Sequence, residues 1–373
     1  MQKVLIVYRT IPQYRVEFYN LLKDELFKNN ILLELIYGDS HLDNRKDIVD
    51  SDWATFKKNT VINLGLFKII WQPCMQETKT ADLVIVEQAN KLLINYVLMF
   101  RRIFKNKKFA FWGHGLNLQL PKNGFFNKFK LTYINQTDWW FAYTNGIKEF
   151  LVQNGFKAER ITVVQNAIDT KRLNSYYKSI SESEVTSLRE QLGINVNDKV
   201  FIYCGALYKE KKISFMIDAL KRLAKKGINF KFLVIGSGPL DNLVIDAAKQ
   251  TPWIINTGPK FGRDKALYFK LADIFLHPGA MGLAILDSFA FETPMITAPY
   301  EFHGPEFEYI INDYNGVISS ENLEVFVADI QTLLSDYARY NRLKSISGLM
   351  IKKYNNETMV ENFANGIYKA LSA

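Results

Sequence analysis

Three glycine-bearing segments, each behind an apolar run, hold the residue types best suited to a phosphorylated ligand. Gly205-Ala-Leu-Tyr-Lys-Glu-Lys-Lys212 sets a residue without a side chain close to Lys209, Lys211 and Lys212. Backbone can approach a ligand at such a glycine, and ammonium groups can meet phosphate. A solvated basic turn would read the same way. Val234-Ile-Gly-Ser-Gly-Pro239 is a second glycine turn, but Asp241 stands where the Gly-x-Gly-x-x-Gly dinucleotide fingerprint requires its last glycine. The third segment says most: Leu276-His-Pro-Gly-Ala-Met-Gly-Leu-Ala-Ile-Leu-Asp287. A strand should stop at His277-Pro278 and a helix start near Gly282. The first amides of a helix have no intrahelical acceptor and favour an anion. Asp287, one to two turns inside that helix, has the chemistry to accept hydrogen bonds from a ribose diol.

These loops need strands and helices to place them, and the sequence supplies an alternation from end to end. Short apolar runs read as buried parallel strands: Val4–Val7, Leu32–Ile36, Leu83–Val86, Phe109–Trp112, Trp139–Tyr143 and Ile161–Val164 in the first half. The second half has Val200–Cys204, Phe230–Ile235, Trp253–Asn256, Ile274–His277, Met295–Thr297 and Gly316–Ile318. Amphipathic segments such as Val16–Phe27, Lys91–Phe104, Ile213–Lys225, Leu283–Phe291 and Leu323–Leu334 fall between them. The fold class this predicts is α/β, with two Rossmann-like, doubly wound parallel-sheet domains. The domains are expected at 1–168 and 169–352, joined near 166–175. A C-terminal helical segment, 353–373, is expected to pack back across that boundary. In open parallel sheets ligands lie beyond the carboxyl ends of the strands, where all three loops fall.

The string Pro-Gly-x-x-Gly-Leu-x-x-Leu-Asp, the later Thr293-Pro294-Met-Ile, and Gly304-Pro-Glu-Phe-Glu-Tyr-Ile310 resemble the donor half of family-4 retaining glycosyltransferases, whose architecture is called GT-B. The variant motif is similar to that of bacterial surface-polysaccharide transferases. The resemblance implies that Lys211 and the Gly282 and Leu283 amides bind the diphosphate of a nucleotide sugar, with Gly205, Lys209 and Met281 beside them. It implies that Asp287 grips the ribose and that Asn256–Lys260, including Gly258, Pro259 and Lys260, lines the base. In the first half Ile11-Pro-Gln-Tyr-Arg15 and Trp112-Gly-His-Gly-Leu-Asn117 resemble the same subset. There His114 matches an active-site histidine, while Tyr14, Arg15, Glu87 and Asn117 would face the acceptor. No metal and no cofactor beyond the donor are implied. Three departures stand out: Gly279 takes the place of the family's first signature glutamate, Ala206 that of its loop arginine, and Asp287, one methylene shorter, that of its second glutamate.

The net charge of +9 sits in one band. Between Gln88 and Thr137 lie Lys91, Arg101, Arg102, Lys105, Lys107, Lys108, Lys122, Lys128 and Lys130, with no Asp or Glu, and the remaining 38 basic residues balance the 38 acidic ones. Phe125, Phe126 and Phe129 interleave with Lys122, Lys128 and Lys130, the pattern of a face that docks on an anionic membrane. No recognised nucleic-acid module accompanies the charge, so residues 88–137 are expected to meet an anionic membrane surface rather than nucleic acid. Cys74 and Cys204 form no disulfide framework. Residues 3–8 read as a strand rather than a signal peptide, and no apolar run reaches the roughly 20 residues a membrane span needs. The expectation is a cytoplasmic enzyme, peripheral on the inner face of the plasma membrane, with a lipid-linked or oligosaccharide acceptor in O-antigen or capsule assembly. A sugar-nucleotide 2-epimerase of the same fold and a non-catalytic nucleotide-sugar-binding protein remain the alternatives.

Overall fold

The computed structural model describes residues 1–39, 50–65, 67–104, 107–116 and 124–373. Asn117, Lys105 and Lys122 lie outside the described residues. The chain divides into two compact units, Met1–Ile168 with Asn356–Ala373, and Asp169–Asn355.

The first unit runs β1 (Gln2–Val7), α1 (Val16–Lys28), β2 (Ile31–Tyr37), β3 (Thr55–Phe56), β4 (Thr60–Leu64), β5 (Phe67–Trp71) and α2 (Met75–Thr80). It continues β6 (Leu83–Glu87), α3 (Leu93–Ile103), β7 (Lys108–Gly113), α4 (Phe125–Tyr133), β8 (Trp139–Ala142), α5 (Asn145–Gln153) and β9 (Ile161–Val163). Seven strands form one sheet in the order β3-β2-β1-β6-β7-β8-β9, every pair parallel. The apolar runs are buried on both faces, as a sheet covered by helices demands. The sequence reading omits the antiparallel β4–β5 hairpin, which stands outside the main sheet.

The second unit runs α6 (Thr170–Ser179), α7 (Glu182–Gln191), β10 (Lys199–Cys204), α8 (Ile213–Lys225), β11 (Phe230–Ile235), α9 (Asp241–Gln250) and β12 (Ile254–Gly258). Then come α10 (Gly262–Leu271), β13 (Ile274–Leu276), α11 (Ala284–Ala290), β14 (Met295–Thr297), β15 (Val317–Ile318), α12 (Leu323–Ser335) and α13 (Tyr337–Leu349). Its six strands are ordered β12-β11-β10-β13-β14-β15, again all parallel. Helix α8 shows why the fold follows from pattern. Ile213, Met216, Ile217, Leu220 and Leu223 recur at helical spacing, and all five are buried in the unit's core. At the expected junction, 166–175, Asp169 caps α6 by accepting from the Arg172 amide at 3.0 Å. Most of that segment is therefore helix rather than linker.

The last helix, α14 (Asn356–Ser372), returns to the first unit and packs on α1, β8 and β9. Phe363, fully buried, stacks on Phe141 with ring centroids 4.3 Å apart and meets the edges of Trp112 and Phe18. Helix α4 buries a cation instead. Lys130 Nζ donates to the Gln88 backbone carbonyl and to Gln88 Oε1, both at 3.2 Å. Burial pushes its pKa down to about 8, against the opposing attraction of Glu87.

Phe363→Ala is expected to cost about 3–5 kcal/mol, the usual loss for a buried aromatic. Urea unfolding followed through tryptophan fluorescence would register it, and a loss below about 1 kcal/mol would mean that α14 is not anchored through this ring. Lys130 gives a pH-dependent prediction. The unfolded chain holds this group near its ordinary 10.5 and the folded chain near 8, so the unfolded state binds more protons between those values. Stability contributed by the group therefore rises across that interval. Relative to Lys130→Met, the wild type should be flat below about pH 7 and gain roughly 2–3 kcal/mol by pH 10.5. A difference that does not change with pH would dismiss the buried cation.

Candidate functional site

Strand order reverses between β10 and β13 in the second unit, and ligands of open α/β sheets collect at such a reversal. The loops leaving those two strands are the first and third segments picked out above. Backbone packs directly on backbone here. A β-carbon at Gly236 would stand 1.9 Å from the Gly205 carbonyl oxygen, and one at Gly238 would stand 2.8 Å from the Leu207 nitrogen. The Gly236-Ser-Gly238 turn thus exists to let the 205–207 loop lie against it. The Gly205 amide is spent on the Ile235 carbonyl at 3.0 Å.

Gly279 has the same origin. A side chain there would meet the Glu210 carbonyl oxygen at 2.3 Å and Lys211 Cα at 2.6 Å. The Ala280 amide donates to that Glu210 carbonyl at 2.8 Å, and Lys211 Nζ donates to the Ala280 carbonyl. Burial brings the Lys211 pKa down to about 8, leaving it mainly cationic at neutral pH. Lys209 is exposed, whereas Lys212 bonds Glu321 and lies 4.4 Å from the Tyr300 ring. Met281 also departs from expectation. It is buried, and its amide donates to His303 Nδ1 at 3.0 Å, so that amide is committed inside the protein. His303 Nε2 lies 2.8 Å from the Ala298 carbonyl, which places the proton on Nε2. The Gly282 and Leu283 amides precede α11, where helix geometry leaves them without intrahelical acceptors. Lys211 and these amides therefore converge on one loop.

Asp287 is not an open carboxylate. Its Oδ1 receives Lys265 Nζ at 2.6 Å, with side chains only 10% and 16% exposed respectively. Burial works against the Lys265 charge, but Asp287 and then Cys204 outweigh it and hold the lysine above its ordinary pKa. The sequence reading misses Lys265, which lies on α10, 22 residues before Asp287. Gly258 turns with φ +67 at the end of β12, and its amide donates to Asn256 Oδ1 at 3.2 Å. Pro259 is exposed, and Lys260 lies 5.5 Å from the Tyr268 ring. His277 is fully buried, and burial together with Lys211 keeps its pKa well below the usual value.

In the first unit the order reverses between β1 and β6. Arg15 follows β1, but it presents no guanidinium to a ligand. It is 2% exposed and donates to the Ala167 carbonyl, Asn166 Oδ1 and Met359 Sδ. Its role is to tie the β1 loop to the β9 exit and to α14. Glu87 is held by Arg9 through two bonds of 2.8 Å, a fork the sequence reading does not foresee. Tyr14 is partly exposed and lies 5.1 Å from the Arg15 guanidinium. His114 follows β7 with its ring edge on Tyr143 at 4.3 Å. Burial, then Lys130 and Arg15, push its pKa down to about 3, so the imidazole is neutral. Its Nδ1 has no partner among the described residues. Gln88 links the two features: it accepts from Lys130 and donates to the Gly115 carbonyl at 3.4 Å.

The basic band is less free than its composition suggests. Lys130 points inward, Arg102 pairs with Asp138 at 2.7 Å, Arg101 donates to Thr78, and Lys108 bonds the last carbonyls of α14. What faces solvent is aromatic. Phe100 and Ile103 on α3, Phe104 just beyond its end, and Phe125, Phe126 and Phe129 on α4 are all exposed, bridged where Tyr96 meets Phe129 at 6.2 Å. Lys128 stands exposed among them. Among the described residues, no helix is long and apolar enough to cross a membrane. Nor is any group of three or more His, Cys, Asp or Glu placed to hold a metal ion.

Residues 184–347 match the family model described as glycosyl transferases group 1. Alpha-monoglucosyldiacylglycerol synthase of Acholeplasma laidlawii is 30% identical over 173 residues, 44% of this chain and 42% of that protein. The chain thus spans well under half the length of that relative. Among solved structures, Anabaena Alr3699/HepE in complex with UDP superposes with a TM-score of 0.70 at 16% identity, covering 98% of this chain and 100% of that one. A glycosyltransferase from Rickettsia africae gives 0.71 at 15% identity, covering 100% and 98%. At such identities the likeness is one of fold. The region from residue 184 to 347 is therefore related in sequence to the group 1 glycosyl transferases, and the chain has their GT-B fold of two parallel-sheet Rossmann-like domains.

Proposed function

We propose that this protein is a retaining hexosyltransferase that moves a sugar from a nucleotide donor to a lipid-linked or oligosaccharide acceptor in surface-polysaccharide assembly. One observation carries the reading: the Lys211 ammonium reaches the same short loop that presents the Gly282 and Leu283 amides, at the strand-order reversal. In the transfer, the bond between the sugar C1 and the β-phosphate oxygen breaks. The acceptor hydroxyl oxygen bonds to C1, and its proton passes to the phosphate oxygen that leaves. Negative charge grows on the leaving diphosphate, where a fixed cation and fixed amides stabilise it most. Neutral His114 suits hydrogen bonding to a sugar hydroxyl rather than proton donation. The UDP held by Alr3699/HepE and the lipid product named for the Acholeplasma synthase support a nucleotide donor and a lipid acceptor.

Peripheral attachment to the inner membrane face belongs to the same proposal. The support is the exposed aromatic ridge of α3 and α4, within a stretch that has no acidic side chain between Gln88 and Thr137. Aromatic rings and a lysine on one face match the boundary between lipid headgroups and acyl chains.

Lys211→Met is expected to cost on the order of 1.5–3 kcal/mol, the worth of a charge-assisted hydrogen bond, or roughly a ten- to hundredfold drop in turnover of a nucleotide sugar. Lys209→Met should stay within about threefold. Affinity for UDP or GDP, measured by calorimetry, should weaken above about pH 8 as Lys211 loses its proton, and that dependence should vanish in Lys211→Met. Unchanged turnover in Lys211→Met would misplace the donor site. A product without a new glycosidic bond would point to an epimerase, and binding without turnover to a non-catalytic protein. For the membrane face, a Phe125→Ser, Lys128→Glu double variant should reduce sedimentation with phosphatidylserine-rich vesicles at least about fivefold, since each basic residue there is worth about 1 kcal/mol. Equal sedimentation of wild type and variant would eliminate the docking face.

A further inference from the structure

The second unit buries three carboxylates among the described residues: Asp198, Asp287 and Glu306. Asp198 accepts from the Asn195 amide and closes a turn, and Asp287 pairs with Lys265. Glu306 lies on the 3-10 turn Pro305–Tyr309 and is 3% exposed. Its surroundings identify where it acts. A β-carbon placed on Gly282 would meet one neighbour within 4 Å, Glu306 Oε2 at 3.7 Å. At Gly304 such a carbon would meet the same oxygen at 2.8 Å and Gly282 Cα at 3.1 Å. The carboxylate therefore stands against the glycine whose amide, with that of Leu283, opens the phosphate loop.

Its position is fixed by the chain around it. The Gly304 amide donates to the Met281 carbonyl at 2.6 Å, and the Met281 amide donates to His303 Nδ1 at 3.0 Å. The His303 ring stacks on Phe307 with centroids 4.0 Å apart. These contacts bolt residues 303–307 to residues 281–282 and leave the carboxylate little freedom. The other side of the loop cannot supply an equivalent group, because the Glu210–Lys211 backbone fills the space a side chain at Gly279 would need.

We infer that Glu306 is the specificity-determining carboxylate for the donor, accepting hydrogen bonds from hydroxyl groups of the transferred sugar. The inference rests on the donor reading proposed above. A sugar joined to a diphosphate held by Lys211 and the Gly282–Leu283 amides must lie beside that loop. A carboxylate has two oxygens and no proton to give, so it suits a pair of hydroxyl donors on adjacent carbons. Placing it on a separate element from Lys211 lets sugar and diphosphate be recognised independently.

The test compares UDP with UDP-glucose and GDP with GDP-mannose, by calorimetry on the full chain, in the wild type and in Glu306→Gln and Glu306→Ala. Glu306→Gln is nearly isosteric, and its thermal melt shows whether the loop still folds. For the nucleotide pair that binds, Glu306→Gln should leave the diphosphate within about twofold while weakening the nucleotide sugar ten- to hundredfold, with KM for the donor rising in step. Glu306→Asp should recover part of that loss. Equal weakening of diphosphate and nucleotide sugar would overturn the inference and make Glu306 a loop clamp. Tighter diphosphate binding with unchanged sugar binding would overturn it too, as a carboxylate that merely competes for the amides. A wild type that binds none of the four ligands would instead bring down the donor reading itself.

Discussion

Backbone carbonyls lying where side chains would otherwise be are the constraint on which the second unit's site depends. The Gly205 carbonyl occupies the β-carbon position of residue 236, and the Glu210 carbonyl occupies that of residue 279. Each contact lets one loop carry another. The 236–238 turn supports 205–207, which leads into 209–212, and that segment in turn supports 279–280 through the Glu210–Ala280 hydrogen bond. The His303–Met281 and Gly304–Met281 bonds close the far side. A loop fastened on both sides keeps its amides aimed without help from ligand, and preorganisation of that kind is what electrostatic stabilisation of a leaving group requires.

Cations placed in such surroundings lose hydration, and the structure handles three of them differently. Lys265 keeps its charge because Asp287 stands 2.6 Å away. Lys130 has two oxygens of Gln88, and burial outweighs the attraction of Glu87, so its pKa falls. Lys211 has the Ala280 carbonyl and a weak contribution from Glu210, and it falls similarly. A buried cation with an ion-pair partner is satisfied, whereas one left with neutral acceptors is stabilised further by any anion that arrives. This separates Lys211, at a loop with open amides, from Lys265, whose charge is already matched.

The alternation of strands and helices was legible because both sheets are buried on both faces and their strands are uninterrupted apolar runs. Elements with little apolar signal were not. Helix α13 buries only Leu343 and Ser347, α9 buries only Val244, and α6 sits in the polar stretch that reads as a junction. Loop chemistry was legible where it lay within one segment, as with Lys211 and the Gly282–Leu283 turn. It was hidden where partners come from distant positions: Arg9 with Glu87, Lys265 with Asp287, and His303 with Met281 are separated by 78, 22 and 22 residues. Arg15 misled for the same reason. A charged residue after a strand suggests a ligand contact, and only the fold reveals that Asn166, Ala167 and Met359 surround it.

Composition misled in a more general way at the basic band. A run of residues without a carboxylate suggests unbalanced charge on a surface, but balance is set in space rather than along the chain. Asp138, one residue beyond the band, holds Arg102. The carboxyl-terminal carbonyls of α14 hold Lys108, as a helix dipole favours. Gln88 holds Lys130 without any charge at all. Once those cations are placed, the feature that distinguishes the face is its aromatic side chains, which stay in water at the cost of exposed apolar area. Attraction to an anionic surface then depends less on the number of lysines than on whether rings and the remaining charge share one face, as they do on α4 at Phe125, Phe126, Lys128 and Phe129.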